Sequence, residues 1–177
     1  MSAAEGGASL LVRLALLAFW LGAATLFSAI VAPALFDVLP TRTLAGLVVG
    51  RVLPVIFYAG MLVAAIDAVI ELRGAHYVGR LATDFVMLLT CGVAQFVFSP
   101  RIERVRAAIA GPIEQLDPAD PRRVEFGRLH ALSVGLLGIA MIAGLVAIIA
   151  LARTMIASRD ARPSSLTSNS LLSTDHA

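Results

Sequence analysis

The chain has 177 residues, enough for one domain, of which 59% are hydrophobic and only 15% charged. That apolar share is too large for a soluble domain, whose surface needs more polar groups. The formal net charge of +2, with 14 basic residues that are all arginine, is too small to point to nucleic acid.

A helix needs about 20 apolar residues to cross a bilayer, and four runs reach that length: residues 10–32, 44–70, 81–98 and 129–151. The first resembles a signal peptide in having Arg13 before it and small residues at its end. Its apolar stretch exceeds the usual roughly 7–15 residues, and Pro33 makes a poor cleavage context, so a retained helix is expected. Pro33 and Pro40 then bracket an expected short loop with Asp37 and Arg42. Residues 71–80, ELRGAHYVGR, predict a tight polar turn. Ser99-Pro100 can end the third helix and start another as N-cap and N1. The RIERVRAAIA piece that follows puts Ile102, Val105 and Ile109 on one face, which suits either a helix at the membrane surface or a solvated extension of the third span. Asp120-Pro121 starts the last helix.

The expected fold is therefore all-α: an integral membrane four-helix bundle with a short amphipathic helix between helices 3 and 4. Residues 1–9 form a flexible N-terminus, 10–157 the transmembrane domain and 158–177 a disordered, serine-rich tail. No internal repeat is visible. Four spans put both termini on one side of a multi-pass membrane protein, and a bacterial inner (plasma) membrane is the expected location. The positive-inside rule leaves orientation open. Arg13, Arg73, Arg80, Arg153, Arg159 and Arg162 on the terminal side face a similar number on the other.

Small residues let membrane helices approach closely. Ala18, Gly22, Thr25 and Ala29 give the first span such a face. On the second, Gly46, Leu53, Phe57, Gly60, Ala64, Asp67 and Glu71 share a stripe. On the third, Arg80, Asp84, Leu88, Cys91 and Gln95 line up, with Met87 beside them. On the fourth, His130, Ser133, Leu137, Met141 and Gly144 do so. Asp67 and Asp84 should thus point inward near the terminal side, at the depth of Arg13 and Arg80. A carboxylate there needs a partner, a proton or water. A cluster locking three helices is the plain expectation and a proton or cation relay the sharper one. Gln95, His130 and Ser133 sit toward the opposite side, where His130 serves either helix packing or a pH-sensitive gate or ligand site. Arg51 falls on the face opposite the small stripe. Pro54 leaves the Gly50 carbonyl without its usual donor, and in membranes such freed groups can line a cavity.

Met61, Met87, Cys91 and Met141 lie near the midplane. Met87 and Cys91, one turn apart, have spacing that soft Cu(I) ligands use, but methionine also fills gaps in cores. Packing is the favoured reading. A bis-histidine haem fits poorly, because His76 and His130 lie at opposite faces and His176 is in the tail. No cofactor is expected.

Three stretches together resemble the transmembrane protein 205-like family, catalogued in bacteria as a domain of unknown function. Residues 19–58 are similar to its W-x-G … P-x-x-F … A-G-x-x-x-G signature through Trp20, Gly22, Pro33, Phe36, Ala45, Gly46 and Gly50. SPRIERVR is similar to the proline-led segment after the third helix. FGRLHALS resembles an F-x-x-L-H-x-x-S element through Phe126, Leu129, His130 and Ser133. The resemblance covers about residues 10–152 and implies a four-helix integral membrane protein without established biochemistry. An asparagine that the family often carries one turn past the serine is replaced by Gly135, Leu136 and Leu137. A more distant likeness links the W-x-G and proline pattern to copper-resistance membrane proteins, but residues 10–20 lack the histidine that likeness implies.

The sequence reading is a non-enzymatic membrane protein handling a small solute or ion through Asp67, Asp84, Gln95, His130 and Ser133. Its rivals are a structural or accessory subunit and a soft-metal or haem protein holding Met87, Cys91 and Met141. The bilayer is the expected partner, with a homo-oligomer or a membrane subunit next and nucleic acid excluded. No catalytic set converges at one depth, and no phosphate loop or metalloprotease motif is present.

Overall fold

The computed structural model describes residues 3–73, 78–109 and 111–160, and every regular element among them is helical. Four helices are long and apolar enough to cross a membrane: Gly7–Val38, Arg42–Arg73, Val78–Ala107 and Pro121–Ala157. They comprise α1 (Ala3–Leu26), α2 (Ala32–Val38), α3 (Arg42–Arg73), α4 (Val78–Val93), α5 (Ser99–Ala107) and α6 (Pro121–Asp160). The turn expected at residues 71–80 falls partly, and the serine-rich tail mostly, outside the described residues. His76 and His176 also lie outside them.

Two of the four rods absorb a proline in the same way. α1 passes through a π-helical turn, Phe27–Val31, into α2, and α4 passes through Ala94–Phe98 into α5. Pro33 and Pro100 each sit in the first two positions of the segment that follows. Proline lacks an N–H and its ring crowds the carbonyl four residues back, so a turn bonded five residues apart relieves the conflict. The Ala32 and Ser99 N–H groups accordingly donate to the Phe27 and Ala94 carbonyls. The Ser99 hydroxyl also donates to the Ala94 carbonyl, at 3.1 Å. Two expectations change as a result. The first helix runs on to Val38, so the loop between Pro33 and Pro40 shrinks to residues 39–41. Ser99 makes no side-chain cap, and the amphipathic α5 continues the third rod, the extension reading. The chain then reverses at Gly111, whose φ of 115° favours a residue without a side chain.

α1 and α4 each pack against both α3 and α6, which puts the four rods at the corners of a square with α3 diagonal to α6. Large apolar side chains such as Phe19, Leu62, Phe85 and Ile142 face outward, as lipid contact requires. The buried core holds Leu17, Trp20, Phe57, Ala64, Met87, Cys91, Leu137 and Ala140. Trp20 pins α1 against both neighbours. Its Nε1–H donates to the Ile56 carbonyl at 3.0 Å, and its ring lies against Gly60 of α3 and Gly144 of α6.

The first helix corrects the sequence reading. Ala18, Gly22, Thr25 and Ala29 are all exposed, and the inward face is instead Arg13, Leu17, Trp20, Ala24 and Phe27. Here the bulky side chains supply the contact, and the small residues that receive them are Gly60 and Gly144 on the neighbours. On α4 the buried stripe runs Arg80, Asp84, Met87 and Cys91, then Ala94, and Leu88 is exposed. The α3 stripe lies as expected, with Arg51 exposed on its other side.

α6 begins where Asp120-Pro121 predicts. The Asp120 carboxylate accepts from the Arg122 backbone N–H at 2.9 Å and from the Arg122 guanidinium at 2.8 Å, a cap of the usual kind. These bonds, the guanidinium's first, hold the Asp120 carboxyl down at about 2. A carboxylate pKa lowered by folding stabilises above its ordinary value and loses that contribution as the pH falls through the folded value. The melting temperature of the protein minus that of Asp120→Asn is therefore expected to be constant from pH 7 to about pH 4. It should then decline toward about pH 2, because asparagine caps without titrating.

Candidate functional site

Polar residues gather at both ends of the bundle, and the packed layer around Trp20, Phe57, Met87 and Ala140 separates them. At the terminal end a charge cluster joins α1, α3 and α4. Arg13 pairs with Asp67 through Nε and donates from Nη2 to the other carboxylate oxygen at 3.2 Å. It also reaches Glu71 at 2.7 Å, and Arg80 lies 3.3 Å from Glu71. Arg13, Asp67, Glu71, Arg80 and Asp84 are all buried. Asp84 completes the cluster from α4 within hydrogen-bonding reach of Asp67, and no N–H or hydroxyl of the protein meets its oxygens. The inward placement of Asp67 and Asp84 follows from their stripes. Glu71 lay on the same stripe, one turn beyond Asp67, and it is the residue that bridges the two arginines.

At the other end, α3, α5 and α6 line a cavity of about 600 Å³. It brings together Gln95, His130 and Ser133, three of the five residues singled out from sequence, and excludes Asp67 and Asp84. One polar path through the bundle is thus not what these five residues form. From Arg42 to Pro54 on α3, both in its wall, the cavity extends about 18 Å at roughly 1.5 Å per residue. Its sides are mostly apolar, with Phe36, Val49, Leu53, Phe96, Ile102 and Phe126 among them, and Gly50 and Pro54 occupy the wall where the proline removes a backbone bond.

The deep polar groups are incompletely satisfied. Ser133 has no solvent exposure and its Oγ has no hydrogen-bond partner in the protein. Gln95 donates from Nε2 to the Tyr58 hydroxyl at 3.4 Å, and its buried Oε1 is left without a donor. The His130 ring lies parallel to Phe126, at 6.2 Å between centroids.

The shallow end is held by residues that the sequence reading passed over. Arg106 donates to Glu103 at 2.8 Å and to the Gly46 carbonyl at 3.1 Å, and its guanidinium lies 5.6 Å from the centre of the Phe126 ring, within cation–π reach. Gly46 and Gly50 therefore make room for a side chain rather than for another helix. A Cβ on Gly50 would lie 3.0 Å from Arg106 Nη1. Thr43 folds the chain after α5 back over the start of α3. It accepts from the Ile113 N–H at 3.1 Å and donates to Glu114 at 2.7 Å, and that donation holds the Glu114 carboxyl below the usual carboxylate range. The available signal for Arg106 was its spacing of three from Glu103 on the SPRIERVR segment.

The remaining motif residues divide between core and cavity. Trp20 is core, Phe36 and Phe126 line the cavity, and Pro33 follows its π turn. Gly22 faces outward, with open space where a Cβ would stand. The soft-metal candidates Met87 and Cys91 are fully buried beside Gly144 and Gly60. Met141 is half-buried against the same core. No group of three or more His, Cys, Asp or Glu suited to a metal occurs among the described residues.

Residues 15–110 match a domain of unknown function (DUF4149), a span that holds Trp20, both π turns and the Arg106 side of the cavity. No curated protein and no solved structure matches the chain.

Proposed function

The chain belongs to the DUF4149 family, and from that premise we propose that it is a non-enzymatic integral membrane protein that holds a small solute in the cavity between α3, α5 and α6. The observation that carries this reading is Ser133, a fully buried hydroxyl without a partner in the protein, in the wall of a cavity of about 600 Å³. Leaving a buried polar group unpaired costs about 1–3 kcal/mol. Ligand sites of roughly 300–1,000 Å³ combine apolar walls with a few polar groups of this kind. Catalysis has less support, because Glu103 and Glu114 in the same wall are engaged by Arg106 and Thr43, and the Ser133 hydroxyl has no histidine or acid as a hydrogen-bond partner.

The charge cluster reads best as a lock between helices, and Met87 and Cys91 read best as packing around Trp20. The transmembrane protein 205-like resemblance fits the same architecture and supplies no ligand. The accessory-subunit reading keeps one specific support, the outward small-residue face of α1, on which a second membrane helix or another copy could pack.

A thermal-melting screen of small solutes on the purified protein separates these readings. At least one solute is expected to raise the melting temperature by several degrees in the wild type and not in Ser133→Leu, which fills the cavity. If no solute shifts the wild type, and His130→Ala and Ser133→Leu alter stability alone, the accessory reading replaces this one. A copper or haem signal in elemental analysis and absorption would favour the metal reading instead.

A further inference from the structure

We propose that the solute is an uncharged amphiphile with a hydroxyl head, bound with the hydroxyl between Ser133 and Gln95 and the apolar body along α3. This rests on the cavity being the binding site.

The charges in the wall balance in number, Arg42 and Arg106 against Glu103 and Glu114. Arg106 is engaged by Glu103 and the Gly46 carbonyl. Glu114 takes the Thr43 hydroxyl on Oε2 and lies in the field of Arg42, while its Oε1, at the shallow end, has no partner in the protein. Two arginines thus face two glutamates at the shallow end, and the deep end offers only Gln95, His130, Ser133 and Ser99. Ser99 spends its hydrogen on the Ala94 carbonyl. An ion brought to that depth would lose its hydration without gaining a countercharge, a cost of several kcal/mol or more.

The polar atoms also specify the head group. Gln95 Oε1 is an acceptor that needs a donor, and the Ser133 hydroxyl both donates and accepts. A hydroxyl is the smallest group that serves both. A ketone or ester carbonyl would satisfy Ser133 and oppose Gln95 Oε1. Beyond the head, Val49, Leu53, Phe96 and Ile102 give an apolar body its contacts.

The test uses the full chain in lipid nanodiscs with three probes of matched length: 4-hexylphenol, hexylbenzene and 4-hexylbenzoate. The phenol is expected to bind at least tenfold more tightly than the other two, and Ser133→Ala and Gln95→Leu are each expected to weaken it about tenfold. Ser133→Ala should fold normally, with an unchanged or higher melting temperature, since it removes an unpaired buried group. Lost binding in that variant is then not lost structure. If the benzoate or hexylbenzene binds as tightly as the phenol and Ser133→Leu abolishes it, the cavity remains a site and the hydroxyl class is overturned. If Ser133→Leu leaves every probe's binding unchanged, the cavity reading falls as well.

Discussion

Replacing Arg13 by methionine is expected to be the most damaging single change in the chain, lowering stability by roughly 3–5 kcal/mol, the usual cost of breaking a buried ion pair from one side. The reason lies in what is left behind. Asp67 and Glu71 are each 2% exposed, and both lean on that guanidinium. Removing it takes the shared guanidinium from two buried carboxylates one helical turn apart. Adding Asp67→Asn to the methionine variant should recover part of the loss, and the size of that recovery gives the coupling between the pair. Asp84→Asn should behave in the opposite sense. No N–H or hydroxyl meets its oxygens, which stand against the Asp67 carboxylate, and an amide there offers that carboxylate a donor. Unfolding of the variants in mixed micelles measures all of these. An Arg13→Met loss below about 1 kcal/mol would show that the cluster does not lock the helices.

Gly60→Val is expected to be the second largest effect. A Cβ at that position would lie 2.9 Å from both Trp20 Nε1 and Cys91 Sγ, so α1 and α4 would have to move away from α3. Overpacking of this kind costs typically about 1–3 kcal/mol, and withdrawing the indole also strands its N–H from the Ile56 carbonyl, adding about 1 kcal/mol. Gly60→Ala should show a smaller loss of the same sign. Gly22→Ala, with nothing near its Cβ, should be neutral in the same unfolding measurement, and a comparable loss there would contradict the outward placement of the α1 small-residue face.

Run length and charge made the four spans legible, because crossing a bilayer is a demand on composition that any window of sequence reports. The inward faces of α3 and α6 were legible as well, where polar and small residues recur at helical spacing. The face of α1 was not. Small residues mark close approach only when the partner supplies the bulk, and in this bundle the bulk sits on α1 as Leu17, Trp20 and Phe27. The π turns were hidden because each adds a residue's worth of rotation without altering composition. The cavity could not be read from any single helix. Gln95, His130 and Ser133 share a wall only through the packing of α5 and α6 beside α3, and Arg106 joins that wall at its shallow end from a segment whose charge pattern suggested nothing more than a wet surface.

Trp20 is the only tryptophan in the sequence, and it joins its own rod to two of the other three. The protein therefore carries its own optical reporter, and no dye is needed to follow the joint it occupies. Emission from an indole sealed from water should lie at short wavelength in the native state and shift to longer wavelength when that joint opens. Any event at either end that is transmitted through the middle layer would register as a change in this one signal.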